Sequence, residues 1–263
     1  DGFTLGTEGT VNTDTRTYVA WNWKANGGTT TTNDASSTGV GSIDSVYQAN
    51  TTAGFSIVTY TGTGTAGTIA HGLGAVPKMY IVKNRDASSE WRIYNENLGN
   101  DKTVKLHLTA ASADSGNWSS TTPTSSVFNV ATGNNVNDSS EKYVAYCFAE
   151  VEGYSKINVY TGNGNADGTF VYTGFRPAFI MFKTTTIVSH WTIVDNARST
   201  YNVVDDSLYT DTSAAELTTI TDVDFLSNGF KWRGVLANET NVSGQVYIYM
   251  AFAEAPFKYA NAK

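Results

Sequence analysis

Apolar residues recur along the chain in short alternating or continuous runs, separated at intervals of roughly eight to twelve residues by Gly, Asn, Asp or Ser, which is the spacing of strands in an all-β sandwich or barrel. The pattern predicts strands over 54–60, 78–84, 91–94, 104–108, 127–130 and 142–151, and again over 155–160, 178–183, 190–194, 222–226, 230–232 and 245–252. Extended helical periodicity is absent, so almost no helix is expected. The run from Tyr143 is apolar on both faces, with Tyr143, Ala145 and Cys147 on one side and Val144, Tyr146 and Phe148 on the other. A strand of that kind belongs in the middle of a stack, covered from both sides.

The runs also repeat. Ser56-Ile57-Val58-Thr59-Tyr60-Thr61-Gly62 is echoed by Lys156-Ile157-Asn158-Val159-Tyr160-Thr161-Gly162, and Pro77, Lys83, Trp91, Ile93 and Leu108 align with Pro177, Lys183, Trp191, Ile193 and Leu208. The stretch Tyr143 to Glu150 aligns with Tyr247 to Glu254 after a small insertion. The period of about 100 residues is a common domain size. A third, partial copy opens the chain, because Phe3-Thr4-Leu5, Val11-Asn12 and Tyr18-Val19-Ala20-Trp21 align with Phe128-Asn129-Val130, Val136-Asn137 and Tyr143-Val144-Ala145-Tyr146. Either it ends a preceding unit, the chain starting mid-pattern, or it lends strands to the first full copy. Phe3, Leu5, Val11, Trp21 and Trp23 are costly to leave wet at about 25 cal/mol per Å² and are expected to be packed. The expected organisation is a partial repeat over 1–24, a linker or loop over 25–52, and tandem sandwich repeats, jelly-roll or lectin-like, over 53–152 and 153–263. The loop reading rests on the Gly/Thr/Ser/Asn composition of 27–41.

Composition narrows the function classes. Only 16% of the 263 residues are charged and the net charge is -7, with no basic cluster, so nucleic acid is excluded as an expected partner. No run of 18 apolar residues is present to form a membrane-spanning helix. Cys147 is the sole cysteine, so no intrachain disulfide forms and packing must supply stability, which fits assembly inside a cytoplasm.

Motifs that carry chemistry are few. His71, His107 and His190 are far apart and show no zinc-ligand spacing. No Gly-x-Ser-x-Gly elbow occurs, and the Gly-rich turns at Thr61-Gly62-Thr63-Gly64 and Thr161-Gly162-Asn163-Gly164 lack the Lys-Ser/Thr of a phosphate loop. A carboxylate pair of glycosidase type could be drawn from Asp205, Asp206, Asp222 and Asp224, or from Glu90 and Glu96. Asp222 and Asp224 alternate along a strand and form a weak Ca²⁺ candidate; otherwise no cofactor is expected. Trp91 and Trp191, present in both copies, read as core. Trp118, Tyr201, Tyr209 and Trp232 are unmatched and sit in or beside polar loops, which makes them the candidate ligand contacts, since flat rings stack on sugar faces.

The segments Thr52 to Gly62, Gly168 to Pro177 and Ala251 to Asn261 resemble a repeated module of virion proteins in marine and other tailed bacteriophages, and the resemblance spans essentially the whole chain. It implies a non-enzymatic fibre or appendage module on the virion surface, or in an extracellular setting. Its expected partners are host-surface glycans or other virion subunits, with a homo-oligomer, trimeric by analogy with phage fibres. A purely structural decoration or fibre-shaft protein is the alternative, and a polysaccharide-degrading tailspike the second.

Overall fold

The computed structural model describes residues 2–218, 223–236 and 239–255, and the counts given below refer to those residues. The protein is all-β. The first half carries β1 (Thr31–Asn33), β2 (Ser45–Asn50), β3 (Phe55–Thr61), β4 (Gly67–Ala70), β5 (Met79–Asn84), β6 (Arg92–Asn95), β7 (Lys102–Lys105), β8 (Ala113–Asp114), β9 (Val127–Val130) and β10 (Lys142–Phe148). The second carries β11 (Ser155–Thr161), β12 (Phe170–Tyr172), β13 (Pro177–Thr184), β14 (Thr192–Asp195), β15 (Ser207–Tyr209), β16 (Val223–Leu226), β17 (Gly229–Trp232) and β18 (Val246–Ala253). Helix is confined to α1 (Gly9–Asn12), α2 (Ala35–Thr38) and two short 3-10 turns.

All named strand pairs are antiparallel. An eight-stranded sheet runs β1-β2-β3-β10-β5-β6-β7-β8 and a five-stranded sheet runs β11-β18-β13-β14-β15. The order β3-β10-β5-β6-β7 of the first thus recurs in the second as β11-β18-β13-β14-β15. Each large sheet is covered on its outer side by a small one, β4-β9 in the first half and β12-β17-β16 in the second.

Burial explains the stacking. Along β3, β5 and β10, Val58, Tyr60, Tyr80, Val82, Tyr143, Ala145 and Cys147 point into the outer core with Phe128 and Val130. The intervening Phe55, Met79, Ile81 and Phe148 point the other way, into a second core shared with Ile157, Phe179, Met181, Trp191, Ile248, Met250 and Phe252 of the five-stranded sheet. The remaining face of that sheet, with Tyr160, Ile180, Phe182, Tyr247 and Tyr249, closes on Phe230 and Trp232. Four β layers therefore enclose three cores, and both central sheets are apolar on both faces, as the pattern around Tyr143 predicts. Each large side chain so buried contributes roughly 1.5–3 kcal/mol.

The halves close their outer cores with the same device. Tyr60 stands opposite Tyr143 and Tyr160 opposite Tyr247, and each pair stacks, with centroids 5.1 and 4.7 Å apart. The Tyr143 hydroxyl accepts from Asp138 N at 2.8 Å and that of Tyr247 from Val242 N at 3.1 Å. Asn137 and Asn241, both buried, pin the facing glycine turns: Asn137 Oδ1 accepts from Thr63 N and its Nδ2 donates to Thr65 O, while Asn241 Oδ1 accepts from Asn163 N and its Nδ2 donates to Asn165 O. Gly62 and Gly162 are required by close approach, since an added Cβ would lie 2.1 Å from Asp138 O and 2.2 Å from Val242 O.

Three expectations are corrected. Residues 25–52 are not a linker: β1 and β2 extend the eight-stranded sheet, and α2 between them is capped by Asp34, whose carboxylate accepts from Ser36 N and Ser37 N, and ended by Gly39 at φ 68°. Leu108 is not the counterpart of Leu208: Val104 lies opposite Ile93 as Leu208 lies opposite Ile193, so the insertion falls in the loop 196–206, longer than its counterpart 96–101. Leu106 to Ser112 instead cross to the second half, where Lys183 Nζ donates to Thr109 O, Thr210 Oγ1 to Leu106 O, and Ser112 N to Thr185 O. Finally, Trp21 and Trp23 pack into the shared core, but Phe3, Leu5 and Val11 are exposed, as is Tyr18.

Candidate binding surface

The four aromatic residues singled out by sequence have three different environments. Trp118 and Trp232 are fully buried and present no ring to the surface. The polar segment before Trp118 folds as a 3-10 turn capped by Ser115, which turns the indole inward against Tyr80 and Tyr94 while its Nε1 donates to Lys102 O at 3.0 Å. Trp232 ends β17 and packs on Phe182 at 4.9 Å. Both lie on core-facing strand or turn positions that loop composition disguised. Tyr209 is half-buried and stacks on His190 at 4.0 Å, its hydroxyl donating to Glu239 at 2.6 Å; burial, then that carboxylate, push its pKa up. Tyr201 alone is fully presented, 84% exposed, in the loop 196–206.

That loop is held firmly beneath Tyr201. Arg198 Nε donates to Asp195 Oδ2 at 2.8 Å and its Nη1 to Glu216 Oε1 at 2.8 Å, Ser199 Oγ donates to Asp206 at 2.9 Å, and Asn202 exchanges two bonds with the backbone of Phe225.

The carboxylates are committed elsewhere. Asp224 is buried and accepts from Arg233 Nε at 2.5 Å; its proposed companion Asp222 lies outside the described residues. Among the described residues no group of three or more His, Cys, Asp or Glu is placed to hold a metal. Asp205 and Asp206 gather around Ser199, and Glu96 pairs with Lys78 at 2.5 Å. Glu90 is bound by Arg92 and by Lys105 at 2.6 Å. Burial raises its pKa, but these cations outweigh burial and hold it below the usual range, opposite to what a general acid needs.

An open groove runs where residues 17–21 cross the second half. It has a volume of about 680 Å³ and is lined by Thr17, Tyr18, Val19 and Trp21 on one side and by Arg198, Asp206, Leu208 and Ala214 to Glu216 on the other. Trp21 anchors the crossing: its Nε1 donates to Asp195 Oδ2 at 3.1 Å, the Arg198 guanidinium lies 5.7 Å from its ring, and its edge meets Phe179. Exposure alternates from there, with Val19, Trp21, Trp23 and Ala25 turned inward and Tyr18, Ala20, Asn22 and Lys24 outward.

Residues 1–256, which include the whole of this surface, match the model of a family described as a domain of unknown function, DUF7483. The chain belongs to the DUF7483 family. No curated protein and no solved structure matches it.

What this DUF7483 surface can do follows from its chemistry. The groove couples an ionic cluster already paired within itself to the Tyr18 ring, 49% exposed, and the same segment leaves Phe3 60% exposed. The sequence pattern expects Phe3 to be packed, and the structure leaves it in water.

Proposed function

We propose that the chain is a non-catalytic module of a bacteriophage virion appendage that works by binding other virion subunits. The observation that carries this reading is the exposed apolar segment, Phe3, Leu5, Val11 and Tyr18, of which Tyr18 lines the groove at Arg198. The likeness to phage virion modules supplies the setting, and a rigid stack of β layers suits a part that must hold shape. An antibody to the chain, applied to purified particles of the encoding phage, is expected to mark a tail fibre or capsid appendage. Particles lacking both the label and the polypeptide would overturn the reading. The variant Phe3→Asp, Leu5→Asp, Tyr18→Asp is expected to keep the fold and be lost from particles.

A second reading is favoured by Tyr201: an exposed ring on a braced loop suits contact with a host-surface glycan. The full chain is then expected to bind host cells or a glycan array, and Tyr201→Ala to reduce that binding at least about tenfold; absence of binding to any host surface defeats it.

A further inference from the structure

We infer that the outward face of residues 2–24 is the docking surface for one more β unit of this chain's own pattern, a segment like residues 28–127 that lacks a closing strand. The inference rests on the assembly reading and names the occupant of its surface.

Residues 2–24 already hold the bonds that close a unit. Val136 N and Asn137 N donate to Gly133 O at 3.1 and 2.8 Å; Val11 N and Asn12 N donate to Glu8 O at 3.1 and 2.9 Å. Asn137 Nδ2 donates to Ala131 O and Asn12 Nδ2 to Gly6 O, at 2.8 and 2.6 Å. Tyr143 OH accepts from Asp138 N and Tyr18 OH from Thr13 N, at 2.8 and 2.9 Å. Every pair falls in the same sequence alignment, so the segment is preshaped as the end of a unit.

Its two faces have unequal partners. Trp21 and Trp23 occupy the positions of Tyr146 and Phe148 and, like them, face the shared core, Trp23 against Phe148, Phe179 and Phe252. The opposite face presents Phe3, Leu5, Val11 and Tyr18, whose counterparts Phe128, Val130, Val136 and Tyr143 are all fully buried. What buries those counterparts is a set of strands, β3, β4 and β5, bearing Tyr60, Ile69 and Tyr80. A segment with that pattern offers a ring for Tyr18 to stack on, as Tyr60 does for Tyr143, and a turn for Asn12 to pin, as Thr63 to Thr65 does for Asn137.

A second contact points to the same occupant. Where the halves meet, Lys183 and Trp191 receive the carbonyls of Thr109 and Lys105, both at 2.9 Å. Lys83 and Trp91 hold the corresponding positions in the first half, and Lys83 Nζ turns back to Asn84 O at 2.8 Å. The added unit's own copy of residues 105–109 matches that receptor pair. A heterologous contact repeated in this way closes units around the shared core.

The test is an extended chain in which residues 28–127 are placed directly ahead of Phe3, so that Phe3 follows as Phe128 follows Val127. Hydroxyl-radical footprinting is expected to show the labelling of Phe3, Leu5 and Tyr18 falling at least about tenfold, to the level of Phe128, Val130 and Tyr143, with slow amide exchange in the added segment. The same extension carrying Tyr60→Asp in the added copy must leave Tyr18 labelled. An added segment without protection, while the original halves keep theirs, overturns the inference. So does concentration-dependent protection of Tyr18 in the unextended chain, which would make a second copy the occupant. Loss of the triple Asp variant from particles, alongside a failed extension, would keep the assembly reading and remove this one.

Discussion

Around equivalent tyrosine pairs, the two halves fill their outer cores with different side chains. The first half places Tyr80 and Tyr94 in a stack at 4.5 Å with Trp118 edge-on, and keeps Val82 and Val130 small. In the second, Ile180 and Val194 take the places of the two tyrosines, while Phe182 and Trp232 take those of the two valines. Bulk has moved from one side of the core to the other while the strand order stayed the same. Topology is therefore set by what the halves share, the stacked tyrosines and the pinned glycine turns, and the remaining volume can be filled in more than one way.

The most disruptive test of that comparison is to empty the divergent positions. Trp118→Ala and Trp232→Ala are each expected to cost about 3–5 kcal/mol in chemical denaturation, as large buried rings do. Val130→Trp alone is expected to cost about 1–3 kcal/mol by overpacking, and less when combined with Trp118→Ala, which frees room in the same core. Additive losses would break the claim that bulk was merely moved.

Next come the shared positions. Asn137→Ala and Asn241→Ala each strand backbone groups in a pinned turn, and each is expected to cost about 2–3 kcal/mol, by equal amounts within about 1 kcal/mol. A large inequality would show that one turn carries its half while the other is incidental.

A pH measurement sharpens the asymmetry at the contact between halves. Burial brings the pKa of Lys183 down to about 8 in the fold, whereas an unfolded lysine titrates near about 10.4. Between these values the unfolded chain binds more protons, so stability rises with pH across that window and is lost as pH falls through about 8. Lys183→Met is expected to flatten a slope worth about 3 kcal/mol. Smallest of all, Tyr201→Ala is expected to change stability by no more than about 0.5 kcal/mol, because its exposed ring has little packing to lose.

Strands were legible where one residue in two was apolar or where both faces were: β3, β5, β10, β13 and β18 fall within a few residues of the pattern. Short edge strands were not. β1, β4 and β12 are three or four residues long and lean on partners distant in sequence, so composition dominated their reading. In 27–41, the cap Asp34 and the Gly39 that ends α2 were the available signal, hidden among other polar residues. The candidate site was less legible still. Trp118 and Trp232 were judged by their neighbours in sequence, yet a 3-10 turn and the last position of a strand aim them inward. For Phe3, Leu5 and Val11 hydrophobicity alone predicts packing, whereas their exposure depends on which strands face them.

The central claim is that the halves, though filled differently, fold as one body through the core they share. Native-state hydrogen exchange across a denaturant series tests it directly. The account predicts that the slowest amides of β3, β10 and β5 open at the same free energy as those of β11, β18 and β13, in a single cooperative transition. Opening of one set several kcal/mol below the other would contradict it.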